Sequence, residues 1–366
     1  MTSFFQLANL TIAIILVVLT GSCKTSKKAD SHIITNFSEL IQPTSRQSVL
    51  SEPGYYVWGG SVVKGDDSLY HMFYSRWKKE YFFNGWVTHS EIAHAASKHS
   101  TGPFKFKDVA LPARGEEYWD GLTTHNPTVK KFNGKYYLYY MGNTGDGIAG
   151  ESLNFVHRNN QRIGVAWAES PNGPWHRSDN PFVDVSENEL ADDALMVSNP
   201  SVTQMPDGRF LIVYKAVAKH KPLPFGGPVT HLAAIAETPL GPIKKYKQRI
   251  FYKEGEQFPA EDPFVWYQKS ADMYYGIVKD MHGTFTNAGV SLAFFQSKDG
   301  LNWEPAQNPL ASKLEIKWED GSVEKVARLE RAQVLLEDGQ PVVLYCATTP
   351  GEPFVSDTYN VHIPLR

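Results

Sequence analysis

Five copies of one short pattern set the limits on what this chain can fold into. Gly59-Gly60-Ser61-Val62, Asn126-Pro127-Thr128-Val129, Asn199-Pro200-Ser201-Val202, Asp262-Pro263-Phe264-Val265 and Arg331-Ala332-Gln333-Val334 each open a strand-like run. The residues just before them are Trp58, His125, Ser198, Glu261 and Glu330, spaced by 67, 73, 63 and 69. So long a period, with several short strands inside each unit, reads as radial repetition of small sheets around an axis. The expected fold is therefore all-β, a five-bladed β-propeller with inner strands starting near 59, 126, 199, 262 and 331.

A second repeat supports the first. Each opening is followed by a turn and an aromatic-rich strand, such as Leu69 to Trp77 or Lys135 to Met141. Small-residue strands then end in Gly-containing turns: Thr101-Gly102-Pro103-Phe104, Asn172-Gly173-Pro174-Trp175, Leu240-Gly241-Pro242-Ile243 and Asp299-Gly300-Leu301-Asn302-Trp303. Glycine supplies the positive φ of such turns, and Pro or an aromatic resumes the next strand. Blade five lacks a copy of this turn. A segment before Trp58 is expected to supply its missing outer strand and so close the ring. Aromatics at 13% suffice to fill interfaces between sheets, and 28 Gly with 23 Pro suit many turns. A net charge of −3 gives no electrostatic reason to expect nucleic acid or direct membrane binding.

The N-terminus reads as a processing signal. Phe4 to Leu19 is apolar and is followed by Thr20-Gly21-Ser22-Cys23, which resembles a bacterial lipoprotein signal. The expected organisation is a leader over 1–22, a tether and N-terminal segment over 23–45 with Cys23 lipidated, and the propeller over 46–366. The expected location is the bacterial cell envelope, at the outer membrane or periplasm, with the lipid anchor as its only membrane contact. Cys346 lies in an apolar strand and reads as a small buried hydrophobe. Two cysteines provide neither a disulfide framework nor a cysteine metal site.

Equivalent positions in every blade converge on one mouth of the channel. The first ring is Trp58, His125, Ser198, Glu261 and Glu330, with Gly59, Asn126, Asn199, Asp262 and Arg331 one step on. The ends of the second strands add Arg76, Lys215 and Lys279, and a mouth loop adds His282. Carboxylates (Glu261, Asp262, Glu330) and cations (Arg76, Lys215, Lys279, Arg331) thus collect at one opening. Carboxylates suit acid–base work and cations suit an anionic ligand; a network of mutual ion pairs is the structural alternative. Trp58 suits stacking on a sugar, and equally an ordinary core position. His125 suits proton transfer near neutral pH, ligation of a channel cation, or a plain hydrogen bond.

With the blade count, the Asn-Pro and Asp-Pro openings, the Gly-Pro turns and Ala260-Glu261-Asp262-Pro263 in place, the chain from about Tyr55 onward resembles the five-bladed propeller glycosidases. These are glycoside hydrolase family 43 and relatives such as the neoagarooligosaccharide hydrolases. The resemblance implies a carbohydrate substrate and makes Glu261 the general acid. It departs at Gly59 and Asn199, where family 43 carries a base Asp and a pKa-tuning Asp. Glycoside hydrolysis by the usual route needs two carboxylates, so Glu330 becomes the partner of Glu261. Asp262 is expected to raise the Glu261 pKa by like-charge repulsion. The binding set is then Trp58, Arg76, Asn126, Asn199, Lys215, Lys279, Arg331 and His282, around an acidic or sulfated glycan. No His or Cys spacing indicates a metal site, and no cofactor is expected beyond a channel cation such as calcium. Two other classes fit the same residues: a polysaccharide lyase working through His125 and the cations, and a non-catalytic surface glycan-binding lipoprotein.

Overall fold

A computed structural model describes residues 1–2, 33–351 and 357–366. The expected leader and Cys23 lie outside the described residues. Five four-stranded antiparallel sheets follow one another along the chain, as the repeat requires. Their inner strands are Tyr55–Lys64, Thr123–Phe132, Met196–Gln204, Ala260–Gln268 and Arg328–Glu337. Blade five is completed by Val49–Leu50, which pairs antiparallel with Tyr359–Pro364. This is the closure expected from the missing outer strand. A small two-stranded sheet, Glu315–Lys317 with Val323–Lys325, lies outside the blades.

The repeated motif is not the start of the inner strand, as the sequence suggested, but a β-bulge two to four residues inside it. The ladder register shifts after Trp58, His125, Ser198, Glu261 and Glu330. The next residue is left-handed every time: Gly59 at φ 43°, Asn126 at 50°, Asn199 at 52°, Asp262 at 55° and Arg331 at 53°. Gly, Asn and Asp tolerate this region best, since short polar side chains pay least for it. Sequence alternation at these positions is therefore conformational as well as chemical. Arg331 is the exception, a long side chain held at positive φ.

The apolar residues form five interblade layers. Examples are Phe73 and Ile92 against Val129 and Leu138, or Phe264 and Trp266 against Ala332 and Val334. Hydroxyls just past the bulges stitch neighbouring blades together. Ser61 Oγ accepts from Val129 N at 3.0 Å, Thr128 Oγ1 donates to Pro200 O at 2.8 Å, and Ser201 Oγ accepts from Val265 N at 2.8 Å. Buried backbone groups next to a bulge lose their ladder partners, so these bonds satisfy two N–H donors and one carbonyl acceptor that would otherwise be stranded. Cys346 is fully buried in the layer between blades four and five. The N-terminal segment is packed from Ile34 on. Ile34 N donates to Tyr275 Oη at 2.9 Å, and Phe37 is fully buried against Trp266 and Phe294.

Candidate active site

The bulges place one residue per blade in a belt across the channel. Asn126 Nδ2 donates to Asn199 Oδ1 at 2.9 Å, and Asn199 Nδ2 donates to Asp262 Oδ1 at 2.7 Å. Arg331 Nη1 stands 3.6 Å from Asp262 Oδ1, and its Nη2 donates to Asn126 O at 3.3 Å. The fifth member must be small. A Cβ on Gly59 would lie 3.1 Å from Asn126 Oδ1 and 3.4 Å from Arg331 Cγ. Gly59 thus makes room for the Arg331 side chain, which is 1% exposed. Arg331 is a belt member rather than a cation at the open mouth, which corrects its expected binding role.

Above the belt lies a pocket of about 550 Å³, its opening included. One wall is aromatic and belongs to blade one: Trp58, Trp77, Phe83 and Trp86. Phe83 and Trp86 come from the connection after the second strand, folded as short helices Phe83–Gly85 and Trp86–His89. Phe83 meets Trp58 edge-on at 5.6 Å. The rest of the lining is Lys215, Glu261, Asp262, Arg328 and Glu330 from blades three to five, with His125, Asn126, Gln161 and Asn199, and the Arg328 guanidinium lies 5.4 Å from the Phe83 ring centroid. The mouth expected from the repeat is therefore one pocket holding Trp58, His125, Asn126, Asn199, Lys215, Glu261, Asp262 and Glu330. Among those lining it, Trp77, Phe83, Trp86, Gln161 and Arg328 were not anticipated. The run Tyr81-Phe82-Phe83-Asn84-Gly85-Trp86 was the available signal, since so aromatic a connection is unusual for a solvated loop.

Three further expected residues, Arg76, His282 and Lys279, do not line the pocket. Arg76 pairs with Val57, whereas Ser75 pairs with Trp58. The positions matching Lys215 and Lys279, which pair with Ser198 and Glu261, are thus filled in blade one by Ser75. One residue of offset sends a strand side chain to the other face. Arg76 accordingly leaves the pocket and binds Glu52 at 2.6 Å and Glu91 at 2.9 Å. His282 is exposed on the connection that Asp280 organises by accepting four backbone N–H bonds, and it does not line the pocket. Lys279 is bound to Glu330.

The charges are already paired. Lys215 Nζ donates to Glu261 Oε1 at 2.7 Å, while Glu330 accepts from Lys279 and, at 3.3 Å, from Arg328 Nη1. Burial alone would raise the Glu261 pKa, but Lys215 and Lys279 pull it down to about 2. The expected raising of Glu261 by its neighbours is therefore reversed. Asp262 takes that part instead: burial, then the charge of Glu261, push it up to about 6 against the pull of Arg331. Asp262 lacks a lysine of its own, and Arg331 faces it at salt-bridge range only. This separates two kinds of carboxyl in one pocket, one held ionised and one able to carry a proton near neutrality.

Both histidines near these groups are neutral. Burial, then Arg331 and Lys215, hold His125 well below the ordinary histidine value. Its Nδ1 is 2.8 Å from Ser90 Oγ, and its ring lies against Trp77 and Trp86. His231, directly across the ladder from Lys215, is fully buried and is pushed down to about 3 by burial and then by Lys215. No group of three or more His, Cys, Asp or Glu side chains suited to a metal ion occurs among the described residues.

Solved structures share this architecture. A family 117 glycoside hydrolase of the marine bacterium Zobellia galactanivorans superposes with a TM-score of 0.62 at 16% identity, over 90% of this chain and 91% of that one. A thermostable family-43 glycoside hydrolase gives 0.59 at 15% identity, over 88% and 92%. An endo-arabinase from Bacteroides thetaiotaomicron gives 0.53 at 13% identity, over 89% and 98%. The likeness at these identities is one of fold. No protein-family model matches the sequence, and no curated protein sequence matches it.

Proposed function

We propose that this protein is a glycoside hydrolase whose chemistry is performed by the carboxyls of blades four and five. The observation that carries the reading is the split between Asp262 and its neighbours, in a pocket that is also lined by four aromatic side chains. Aromatic faces suit the apolar faces of sugar rings. Hydrolysis of a glycosidic bond needs one carboxyl to protonate the leaving oxygen and one carboxylate to activate water or attack carbon. In this proposal Asp262, at about 6, is the proton donor. Glu261, kept ionised and oriented by Lys215, is the carboxylate. Glu330 is its second candidate, held by Lys279 and Arg328. The roles of Glu261 and Asp262 are thus exchanged relative to those expected from sequence.

The proposed substrate is a glycan bearing an acidic group. Lys215, Lys279, Arg328 and Arg331 outnumber Glu261, Asp262 and Glu330, and the two nearby histidines are neutral, so the site keeps a positive excess. Arg328, with a side chain 27% exposed, is the residue best placed to meet an anionic substituent. The proposed location is the bacterial cell envelope, through a lipid on Cys23.

The pairing of Glu261 with Lys215, and of Glu330 with Lys279 and Arg328, favours a second reading, a glycan-binding protein without catalysis. Incubation with a panel of acidic and neutral oligosaccharides separates the classes by product. New reducing ends without an unsaturated chromophore support hydrolysis. The chromophore indicates a lyase using His125, and intact glycan that binds indicates a receptor. Glycan cleavage undiminished in both Asp262→Asn and Glu261→Gln would overturn the proposed mechanism.

A further inference from the structure

Blade one contains a chain of four titratable groups remote from the pocket in the ladder. Asp67 lies in the turn after the inner strand, and His71 is on the second strand, Tyr70–Lys78. His94 is on the third, Glu91–Ser97, and Asp108 on the fourth, Lys105–Leu111. His71 Nε2 is 3.0 Å from Asp67 Oδ1, His71 Nδ1 is 2.9 Å from His94 Nε2, and His94 Nδ1 is 3.3 Å from Asp108 Oδ1. Both imidazoles are buried, at 0% and 1% exposure, while the two carboxyls reach solvent. The imidazole centroids are 5.1 Å apart with planes 21° from parallel. With nitrogens only 2.9 Å apart, that spacing leaves one ring radius at each end. The rings therefore meet end to end, as a hydrogen bond requires, and not face to face.

The number of protons then decides the charge. Each of the three contacts needs one hydrogen between its two heavy atoms. Carboxylates bring none, and two neutral imidazoles bring two. Asp67 does not supply the third. Burial works against its charge, but bonds from His71 and from the Leu69 N–H hold its carboxyl below the ordinary value. If both neutral rings donate outward to the aspartates, two lone pairs face each other at 2.9 Å in a buried site. If one ring turns its proton inward, a lone pair faces a carboxylate.

We infer that His71 and His94 bind one extra proton between them, as a shared imidazole–imidazolium pair flanked by two carboxylates, and that this proton clasps three strands of blade one to the turn after its inner strand. With His71 charged, both its nitrogens donate, to Asp67 and to His94, and His94 donates to Asp108. All three contacts are then satisfied. Phe73 stacks on the His94 ring at 4.8 Å and 8°, presenting its negative face to the delocalised charge. A second proton is opposed: burial and the charge on His71 outweigh Asp108 and hold His94 at about 4. Lys107, beside Asp108, acts in the same sense. From blade two, Lys131 faces the turn and pairs with Asp66, beside Asp67, and Asn172 bonds Asp67. The clasp fails when the shared proton leaves. The titration belongs to the pair and not to one ring.

The test is nitrogen-15 NMR of the whole protein labelled at its 12 histidines. Spectra of His71→Gln and His94→Gln assign the pair. If either variant does not fold, through-space contacts from Phe73 to His94 assign it in the unaltered protein. Three ring N–H hydrogens at pH 7 across the four nitrogens are expected, with the shared one bridging His71 Nδ1 and His94 Nε2. Two would overturn the inference. Raising the pH until the third hydrogen is lost should coincide with faster amide exchange in Lys105–Leu111. Unchanged exchange through that loss would show that the proton holds nothing together.

Discussion

Replacing Lys215 with Met removes the group that holds Glu261 ionised, with little change in side-chain length. The carboxyl lies at about 2 against an ordinary 4.5. At ~1.4 kcal/mol per pKa unit, that gap is worth about 3 kcal/mol, within the roughly 3–5 kcal/mol expected for breaking a buried pair. Side-chain exposures of 14% for Lys215 and 21% for Glu261 leave solvent little room to screen it. The sign follows from linkage. A carboxylate whose folded pKa is depressed adds stability above its ordinary value, and loses it as pH falls through the folded one. Lys215→Met should therefore be less stable than the parent at pH 7 by up to about 3 kcal/mol, since Lys279 supplies part of the same pull. The difference should shrink below pH 4.5 and vanish only below about 2, where both forms are protonated. Urea unfolding followed by tryptophan fluorescence reads this, with Glu261→Gln and the double variant completing a cycle. A coupling below ~1 kcal/mol, the range of exposed pairs, would refute the reasoning. So would a destabilisation that does not change with pH, since that would mark lost packing and not a lost charge pair.

Asp262→Asn should lower turnover by ~10²–10⁴-fold, the usual worth of a positioned general acid. In the parent, turnover should fall as pH rises above about 6, where Asp262 loses its proton; a profile flat from pH 5 to 8 argues against that assignment. Gly59→Ala forces a side chain into left-handed backbone at φ 43° and against Asn126 Oδ1 at 3.1 Å. It should cost roughly 1–3 kcal/mol, read as a lowered melting temperature. Trp86→Ala should weaken glycan binding by roughly three- to tenfold, if one aromatic contact is worth ~0.5–1.5 kcal/mol; calorimetry decides. Cys23→Ala should move the protein from the membrane to the soluble fraction, and a variant that still sediments with lipid would remove the anchor from the proposal.

The ring of five blades was legible in the sequence because its cause is local. Each bulge needs a left-handed residue, and Gly59, Asn126, Asn199 and Asp262 are residue types that tolerate it, at a spacing set by the length of one blade. The convergence of Glu261, Asp262 and Glu330 followed from the same geometry. Arg76 shows where such reading stops: a one-residue offset in the pairing of Trp58 with Ser75 turned a pocket cation into a partner of Glu52. Register depends on the whole ladder, not on the residue named. The sign of the Glu261 shift was equally out of reach. It depends on Lys215, 46 residues away on another blade, entering within 2.7 Å and, with Lys279, outweighing the effect of burial. The sequence by itself determined that Glu261, Asp262, Glu330 and Lys215 meet at the mouth. Only the tertiary structure decided which of them touch, because Coulomb energies in a buried site change by kilocalories over an ångström or two of placement.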